Sequence, residues 1–188
     1  NYLKLLMNLV ELSKELMYKQ TQKNNSPVWL LTEIAIEKGK KFSKKYNVDE
    51  RLVLTSLYLA HTSFNFKWKK EILSNHPTLS AEFVKKYLDK WKVNKKEQKI
   101  ILDAIKYHHT QKNSSKIAEV MRNAECFKFV TVKGSLIWLH ALGKRGYTYD
   151  KAVEKVLHKM EQKRKLLSLD SCVKEGEANC KQIRKMFA

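Results

Sequence analysis

An all-α fold is predicted by three properties of this 188-residue sequence. It contains only five glycines and two prolines, too few for a protein built of hairpins and tight turns. Leu, Lys, Glu and Ala fill long segments in which apolar residues recur at helical spacing. A single domain of this length buries roughly two-thirds of its unfolded surface. We therefore expect one compact helical domain spanning residues 1–188.

The apolar spacing places the first three helices. The first covers about residues 2–20, with leucines along one face. Ser26 and Pro27 suit the cap and first turn of a second helix. The third is expected from Asp49 to His61, at the end of the stretch YLAHT. Its inward apolar stripe ends at His61, so the imidazole should face the core.

The later helices repeat this pattern. Ser80 is the expected cap of a helix in AEFVKKYLDKW, with Pro77 just before it. The apolar stripe of the next helix, in KEQKIILDAIKYHH, extends to His108. The following segment, SSKIAEVMRNAECFKF, places Glu125 on its inward side. Two or three further helices should follow from about Lys133. A carboxylate thus joins two histidines on positions that face the core.

Cysteine usage and hydropathy limit the class of protein. The three cysteines are odd in number and form no CxxC pair, which argues against a disulfide framework and a structural zinc site. No apolar run approaches the roughly 18 residues that a membrane span needs. We expect a protein of the reducing cytoplasm without a membrane span.

The charge is strongly positive, with 38 Lys and Arg against 19 Asp and Glu, or +19. Such a charge would attract nucleic acid, an anionic membrane surface or phosphorylated ligands. The alternative is compositional, because nearly all of these residues are lysine, and lysine spread over helix faces is usually solvated surface. Both interpretations remain open from the sequence.

The order of the polar motifs resembles the HD superfamily of metal-dependent phosphohydrolases. The segments LAHT, HPTLSAEFVKKYL, AIKYHH and AEVMRNAE follow one another in the order and spacing of that family. The resemblance covers about residues 26–130 and implies a compact HD-domain-like helical bundle, flanked by helices in residues 1–25 and 131–188. It also implies one or two divalent ions, which activate a water that attacks phosphorus.

Residue by residue, the resemblance assigns His61 to the histidine of the family's His-Asp doublet. His108 or His109 matches the later histidine ligand, and His76 matches the histidine found in members with two metals. The pattern departs at three positions: Trp29 replaces the opening histidine, Thr62 the doublet aspartate and Glu125 the closing aspartate.

These departures bear on metal binding. A metal among His61, His108 and Glu125 would have one carboxylate where the family supplies two, and the neutral hydroxyl of Thr62 is a poor bridging ligand. We expect no cofactor, or a single divalent ion (Mn, Fe, Ni, Mg or Zn) if the protein is active. The interpretation favoured by these changes is a binding or regulatory module for a nucleotide or nucleic acid, with a decayed metal site. The alternatives are a divergent one-metal phosphohydrolase and a helix bundle that only binds a protein partner of unknown kind.

Several residues also have ordinary structural interpretations. His61 and His108 could be core histidines bonded to backbone carbonyls, and His76 a capping or surface residue. Trp29 is expected to fill the space of the lost imidazole. Of the two remaining histidines, His140 should lie at the edge of the core and His158 at the surface.

Lysines near the expected site could contact phosphate or nucleic acid, with neighbouring aromatics stacking on a base. Alternatively, the aromatics anchor a loop while the lysines remain in water. These lysines are Lys67, Lys69, Lys70, Lys106 and Lys112.

Overall fold

The computed structural model describes residues 2–63, 74–112 and 114–188, with side chains from residue 9 onward. Most of these residues are helical, and none of them forms a strand. The described helices are α1 (Tyr2–Asn24), α2 (Trp29–Lys45), α3 (Glu50–Leu59), α4 (His76–Lys90), α5 (Lys95–Tyr107), α6 (Lys116–Phe127), α7 (Val132–Gly143), α8 (Tyr149–Arg164) and α9 (Asp170–Met186). The prediction of an all-α fold is confirmed.

Helix α3 occupies the centre of the packing. Its residues 52–59 are all buried, and all of them except Thr55 and Ser56 are apolar or aromatic. The Asp49 carboxylate caps its first turn by accepting from the Leu52 N–H at 3.3 Å. Helices α1, α2, α5 and α6 pack around α3. The end of α3 is therefore enclosed by neighbouring helices.

Two buried clusters share α3. On one side, α3 meets α2 and α6 through Val53, Leu57, Phe42, Met121 and Phe127. On the other side, α3 meets α1, α4 and α5 through Leu52, Leu59, Leu9, Val84 and Ile105. The ends of α3, α5 and α6 are brought together because α3 packs against both of the others.

The C-terminal helices cover the first cluster. Met160 of α8, and Cys172, Cys180 and Ile183 of α9, are buried in it. Helix α8 also packs against α6 and α7. Its buried stripe is Ala152, Val156, Met160 and Lys163. A lysine thus ends the apolar face of α8.

Three predicted helix boundaries are wrong. Ser26 does not cap α2; its backbone N–H bonds to the Thr21 carbonyl at 3.2 Å, and α2 begins only at Trp29, after Val28. Pro27 consequently precedes the helix instead of lying in its first turn.

The other two differences concern α4 and α3. Helix α4 begins at His76 with Pro77 in its first turn, a position that suits the fixed φ of proline. Ser80 lies inside α4, where its hydroxyl bonds to that of Ser63 at 2.8 Å. Helix α3 ends at Leu59, so His61 lies in the turn that follows.

Among the described helices, none combines the length and the apolar composition that crossing a bilayer requires.

Candidate metal centre

Four of the six histidines meet where three helix ends come together. His61 follows α3, His76 is the first residue of α4, and His108 and His109 follow α5. Their ring centroids are 4.2 to 6.4 Å apart, with His61 5.0 Å from both His76 and His108. Residues separated by up to 48 positions thus form one cluster of imidazoles.

The nitrogen atoms of the cluster are close enough to share an ion. Two overlapping groups have potential ligand atoms within 4.8 Å of one another: His61, His76 and His108 form one, and His108, His109 and Glu125 form the other. Imidazole nitrogen with at most one carboxylate is a donor set suited to zinc, iron, nickel or copper. His108 belongs to both groups.

The hydrogen bonding of His108 prepares it for ligation. Its Nδ1 lies 2.6 Å from the Ile105 carbonyl oxygen, which can only accept, so Nδ1 carries the proton. The lone pair is then on Nε2. This atom is buried and has no hydrogen-bond partner among the described residues. Metal-bound histidines usually donate their other ring N–H to a carboxylate, a backbone carbonyl or water, and His108 has such a carbonyl partner.

Burial keeps the imidazoles neutral, which is the form that binds metal. Burial and the Lys128 ammonium lower the pKa of His61 to about 4. Burial, followed by the neighbouring His61 and His76, lowers the pKa of His108 well below its usual value. Burial also lowers the pKa of His109, with Lys163 adding to the effect. At neutral pH these three rings therefore offer lone pairs.

One carboxylate oxygen of Glu125 contacts two neighbours. Its Oε1 lies 2.9 Å from His61 Nε2 and 2.6 Å from the Lys128 ammonium. The Lys128 Nζ is itself 3.2 Å from His61 Nε2, and all three side chains are buried. Burial is the largest single influence on the Glu125 carboxyl and opposes its ionisation, but Lys128, His61 and Lys163 together outweigh burial and hold the pKa well below its usual range. A cation thus already contacts the one carboxylate of the cluster.

The two other positions singled out by the resemblance lie differently. The Thr62 hydroxyl is buried and donates to the Leu59 carbonyl at 2.9 Å, at the end of α3. The Trp29 ring stacks on Tyr58 and donates from Nε1 to Glu33 at 3.0 Å. Trp29 is not part of the pocket lining formed by the described residues. It packs with other aromatics away from the imidazoles.

The remaining histidine expectations have mixed outcomes. His76 had two interpretations, a site histidine or a capping or surface residue; it is buried beside the other imidazoles, because α4 begins at His76 and turns the ring toward the cluster. His140 was expected at the core edge, but it is exposed, since α7 buries Gly134, Ser135 and Leu142 and leaves His140 in solvent. His158 is exposed at the surface, as predicted.

A pocket of about 740 Å³ opens above the cluster. Its lining includes His61, His76, His109 and Glu125, and also the apolar residues Leu31, Phe129 and Trp138. Arg145 lies over the Trp138 ring, with its guanidinium carbon 4.9 Å from the ring centroid. The pocket therefore combines ligating and charged groups with an aromatic wall.

The lysines that line this pocket are not those expected from the sequence. Lys67, Lys69 and Lys70 lie outside the described residues. Lys106 and Lys112 are exposed and lie against the Tyr107 ring instead of in the pocket lining that the structure describes. The pocket lysines are Lys128, Lys155, Lys159 and Lys163.

Two of these lysines carried a signal in the sequence. Lys128 stands three residues after Glu125, a spacing that places both on one face of a helix. Lys163 continues the apolar spacing of Ala152, Val156 and Met160, so a buried lysine could have been predicted there. No pattern in the sequence predicted that α8 would lie near the imidazoles.

No family model, no curated protein and no solved structure matches this chain. The interpretation of the cluster therefore depends on its own chemistry: neutral, converging imidazoles, one carboxylate and an adjoining cationic pocket.

Proposed function

We propose that this protein binds one divalent transition-metal ion at the histidine cluster and hydrolyses a phosphate ester in the adjoining pocket, as a distant relative of the HD superfamily. The observation that carries the proposal is the convergence of four imidazoles, three of which, His61, His76 and His109, line the pocket. Clusters of this kind are rarely needed for packing, because buried polar nitrogen is costly unless it is paired.

The residues present fit a metal ion. His61, His76 and His108 would provide three nitrogen ligands, and the second group offers His109 and Glu125 as alternatives. An ion held by three histidines supplies a water of pKa near 7 and polarises a bound oxygen. The loss of one family aspartate at Thr62 is therefore compatible with a one-metal site.

Side chains around the cluster suit a phosphorylated ligand. Lys128 and Lys163 place buried ammonium groups at the same pocket, where they would offset the charge of phosphoryl oxygens. Trp138 and Phe129 form a wall against which a flat apolar group could pack. A nucleotide has both parts, and it is the ligand class that we propose.

A second candidate is a binding module without catalysis. It is favoured by the contact of Lys128 with both Glu125 and His61, because this ammonium takes up the carboxylate that a metal would use. The Thr62 hydroxyl, bonded to the Leu59 carbonyl, adds no negative charge. Under this alternative the pocket holds a nucleotide or a nucleic-acid end without an ion.

The metal content of the purified protein separates the two candidates. Wild type, Thr62→Asp, His108→Ala and the control His140→Ala would be incubated with manganese, iron, nickel or zinc, desalted and analysed for metal. About one ion per chain in wild type and His140→Ala, and none in His108→Ala, is the expected result. Nucleotide hydrolysis should follow the same pattern.

Other results have distinct meanings. An empty wild type with a loaded Thr62→Asp variant would contradict the hydrolase and support the binding module. Absence of metal from all four proteins would reject the metal site itself.

A further inference from the structure

Three ammonium groups surround one aromatic ring in the pocket. The Nζ atoms of Lys128, Lys159 and Lys163 lie 5.3, 5.5 and 6.0 Å from the centroid of Phe129. Lys128 follows α6 directly, whereas Lys159 and Lys163 come from α8, one helical turn apart. All three line the same pocket. Tertiary packing therefore concentrates positive charge at one point.

Lys163 is the least compensated of the three. Its side chain is 1% exposed, and its Nζ has no hydrogen-bond partner among the described residues. A buried ammonium without an acceptor is strongly disfavoured. The Phe129 ring offers a weak cation–π attraction at this distance but no hydrogen-bond acceptor. An anion near Lys163 would supply the hydrogen-bond acceptor that the described residues do not provide.

Positive charge exceeds negative charge around these three lysines. Glu125 and Glu154 are the acidic residues of the described pocket lining, and Glu154 is exposed. Glu125 is already bonded to Lys128. Up to three positive charges therefore face one buried negative charge, an excess that a dianion would neutralise. Burial, with Lys163 and Lys128 adding to it, lowers the pKa of Lys159 to about 7, in keeping with this excess.

We propose that Lys128, Lys159 and Lys163 form a binding site for a phosphate dianion, either free or as the terminal group of a phosphate ester. Three lysines provide up to nine N–H donors, which suits the oxygens of phosphate. The site deepens the proposed function, since it would hold the phosphate beside the histidines. It does not depend on the metal, and it includes α8 residues outside the segment that resembles the HD superfamily.

The test uses the full chain treated with a chelator. Binding of inorganic phosphate would be measured by calorimetry and by the shift in Tm, against potassium chloride of equal ionic strength. Wild type should bind phosphate and gain Tm relative to chloride. Lys163→Met should bind phosphate about tenfold to a hundredfold more weakly, because a charge-assisted hydrogen bond is lost.

The same variant gives a second, independent readout. Without phosphate, Lys163→Met should have a Tm equal to or above that of wild type, since it removes a buried charge that lacks an acceptor. The matched control is Lys155→Met, which removes an exposed pocket lysine and should keep phosphate binding within about threefold of wild type. Lys159→Met should weaken binding in the same direction as Lys163→Met.

A nucleoside monophosphate identifies the source of the phosphate group. Tighter binding of the nucleotide than of inorganic phosphate, in wild type and lost in Lys163→Met, would support an ester. Equal binding of both would support free phosphate. Equal phosphate affinity in wild type and Lys163→Met, or an equal Tm gain from chloride, would overturn the proposal. Because the metal is removed, these outcomes do not depend on the metal-content experiment.

Discussion

The imidazoles and Glu125 form the base of the pocket, whereas Lys159 and Lys163 of α8, beside the Phe129 ring, form what we call its α8 wall. The two regions suit ligands of opposite charge. The base presents imidazole nitrogens that burial keeps neutral, together with the Glu125 carboxylate, and these groups would stabilise a cation. The wall presents the ammonium groups of Lys159 and Lys163, which would stabilise an anion. Under our two proposals, the base would hold the metal and the wall would hold the phosphate.

Lys128 joins the two regions. Its Nζ contacts the base through Glu125 and His61, and it also lies over the Phe129 ring of the wall. In the absence of other cations, Lys128 neutralises the carboxylate of the base. It would compete with a metal for Glu125 and would support an anion bound at the wall.

Acid should destabilise the base of the pocket. In the unfolded chain, histidine has a pKa of about 6.5, while burial lowers the pKa of folded His61 to about 4, with lowered values also for His108 and His109. As the pH falls below 6.5, the unfolded chain binds protons that the folded chain does not, so stability is lost. We expect the free energy of unfolding to drop by roughly 3 kcal/mol between pH 6.5 and 5.5 for three such groups.

Urea unfolding at several pH values, with a chelator present, measures the slope of the free energy of unfolding against pH. Glu125 does not contribute in that window, because its depressed pKa places its loss of stability below about pH 4.5. His108→Gln should lower the slope by about one third. A stability that stays constant between pH 7 and 5 would contradict neutral, buried imidazoles.

Lys128→Met removes a side chain that contacts both the base of the pocket and its α8 wall. Lys128→Met leaves the Glu125 carboxylate buried without its ammonium partner, which should cost about 3–5 kcal/mol of stability in metal-free protein. Zinc or manganese should restore more stability to this variant than to wild type, because Glu125 becomes available to the ion. Chemical unfolding with and without metal measures both effects.

The double variant Lys128→Met/Glu125→Gln is the matched control. It removes both charges and should recover much of the lost stability, without the added gain from metal. If Lys128→Met alone were as stable as wild type, the ion pair would not be an important buried contact.

Loss of a single imidazole tests the base alone. His108→Ala removes the one residue common to both candidate ligand groups, so zinc affinity should fall at least about a hundredfold, or about 2.7 kcal/mol. Titration calorimetry of the metal measures this change, with His140→Ala as an exposed control. Equal zinc affinity in His108→Ala and wild type would show that the ion binds elsewhere.

The smallest effect is expected away from both regions. Trp29 packs on Tyr58 and Tyr18 and bonds to Glu33, so Trp29→Phe should cost roughly 1 kcal/mol of stability. It should leave metal and phosphate affinity unchanged. A fall in either affinity would mean that Trp29 belongs functionally to the site, as its place in the resemblance suggests.

The fold class could be predicted because helical periodicity is local. Scarce glycine and proline, and stripes such as the one ending at His108, depend only on neighbours along the chain. The same stripes predicted that Glu125 and His108 face inward, and both are buried. Helix ends were less predictable: Ser26 and Ser80 have the chemistry of caps, but the Ser26 N–H bonds to the Thr21 carbonyl of α1, and Ser80 lies inside α4 against Ser63.

By itself, the sequence determined the all-α fold, the inward direction of His61, His108 and Glu125, and the excess of positive charge. Only the tertiary structure decided that His76 and His109 join the cluster and that Lys128 contacts both Glu125 and His61. It also decided that α8 brings Lys159 and Lys163 to the pocket. The physical reason is that periodicity tells which side of a helix is buried, whereas the partners of a buried polar group are set by how helices distant in sequence pack together.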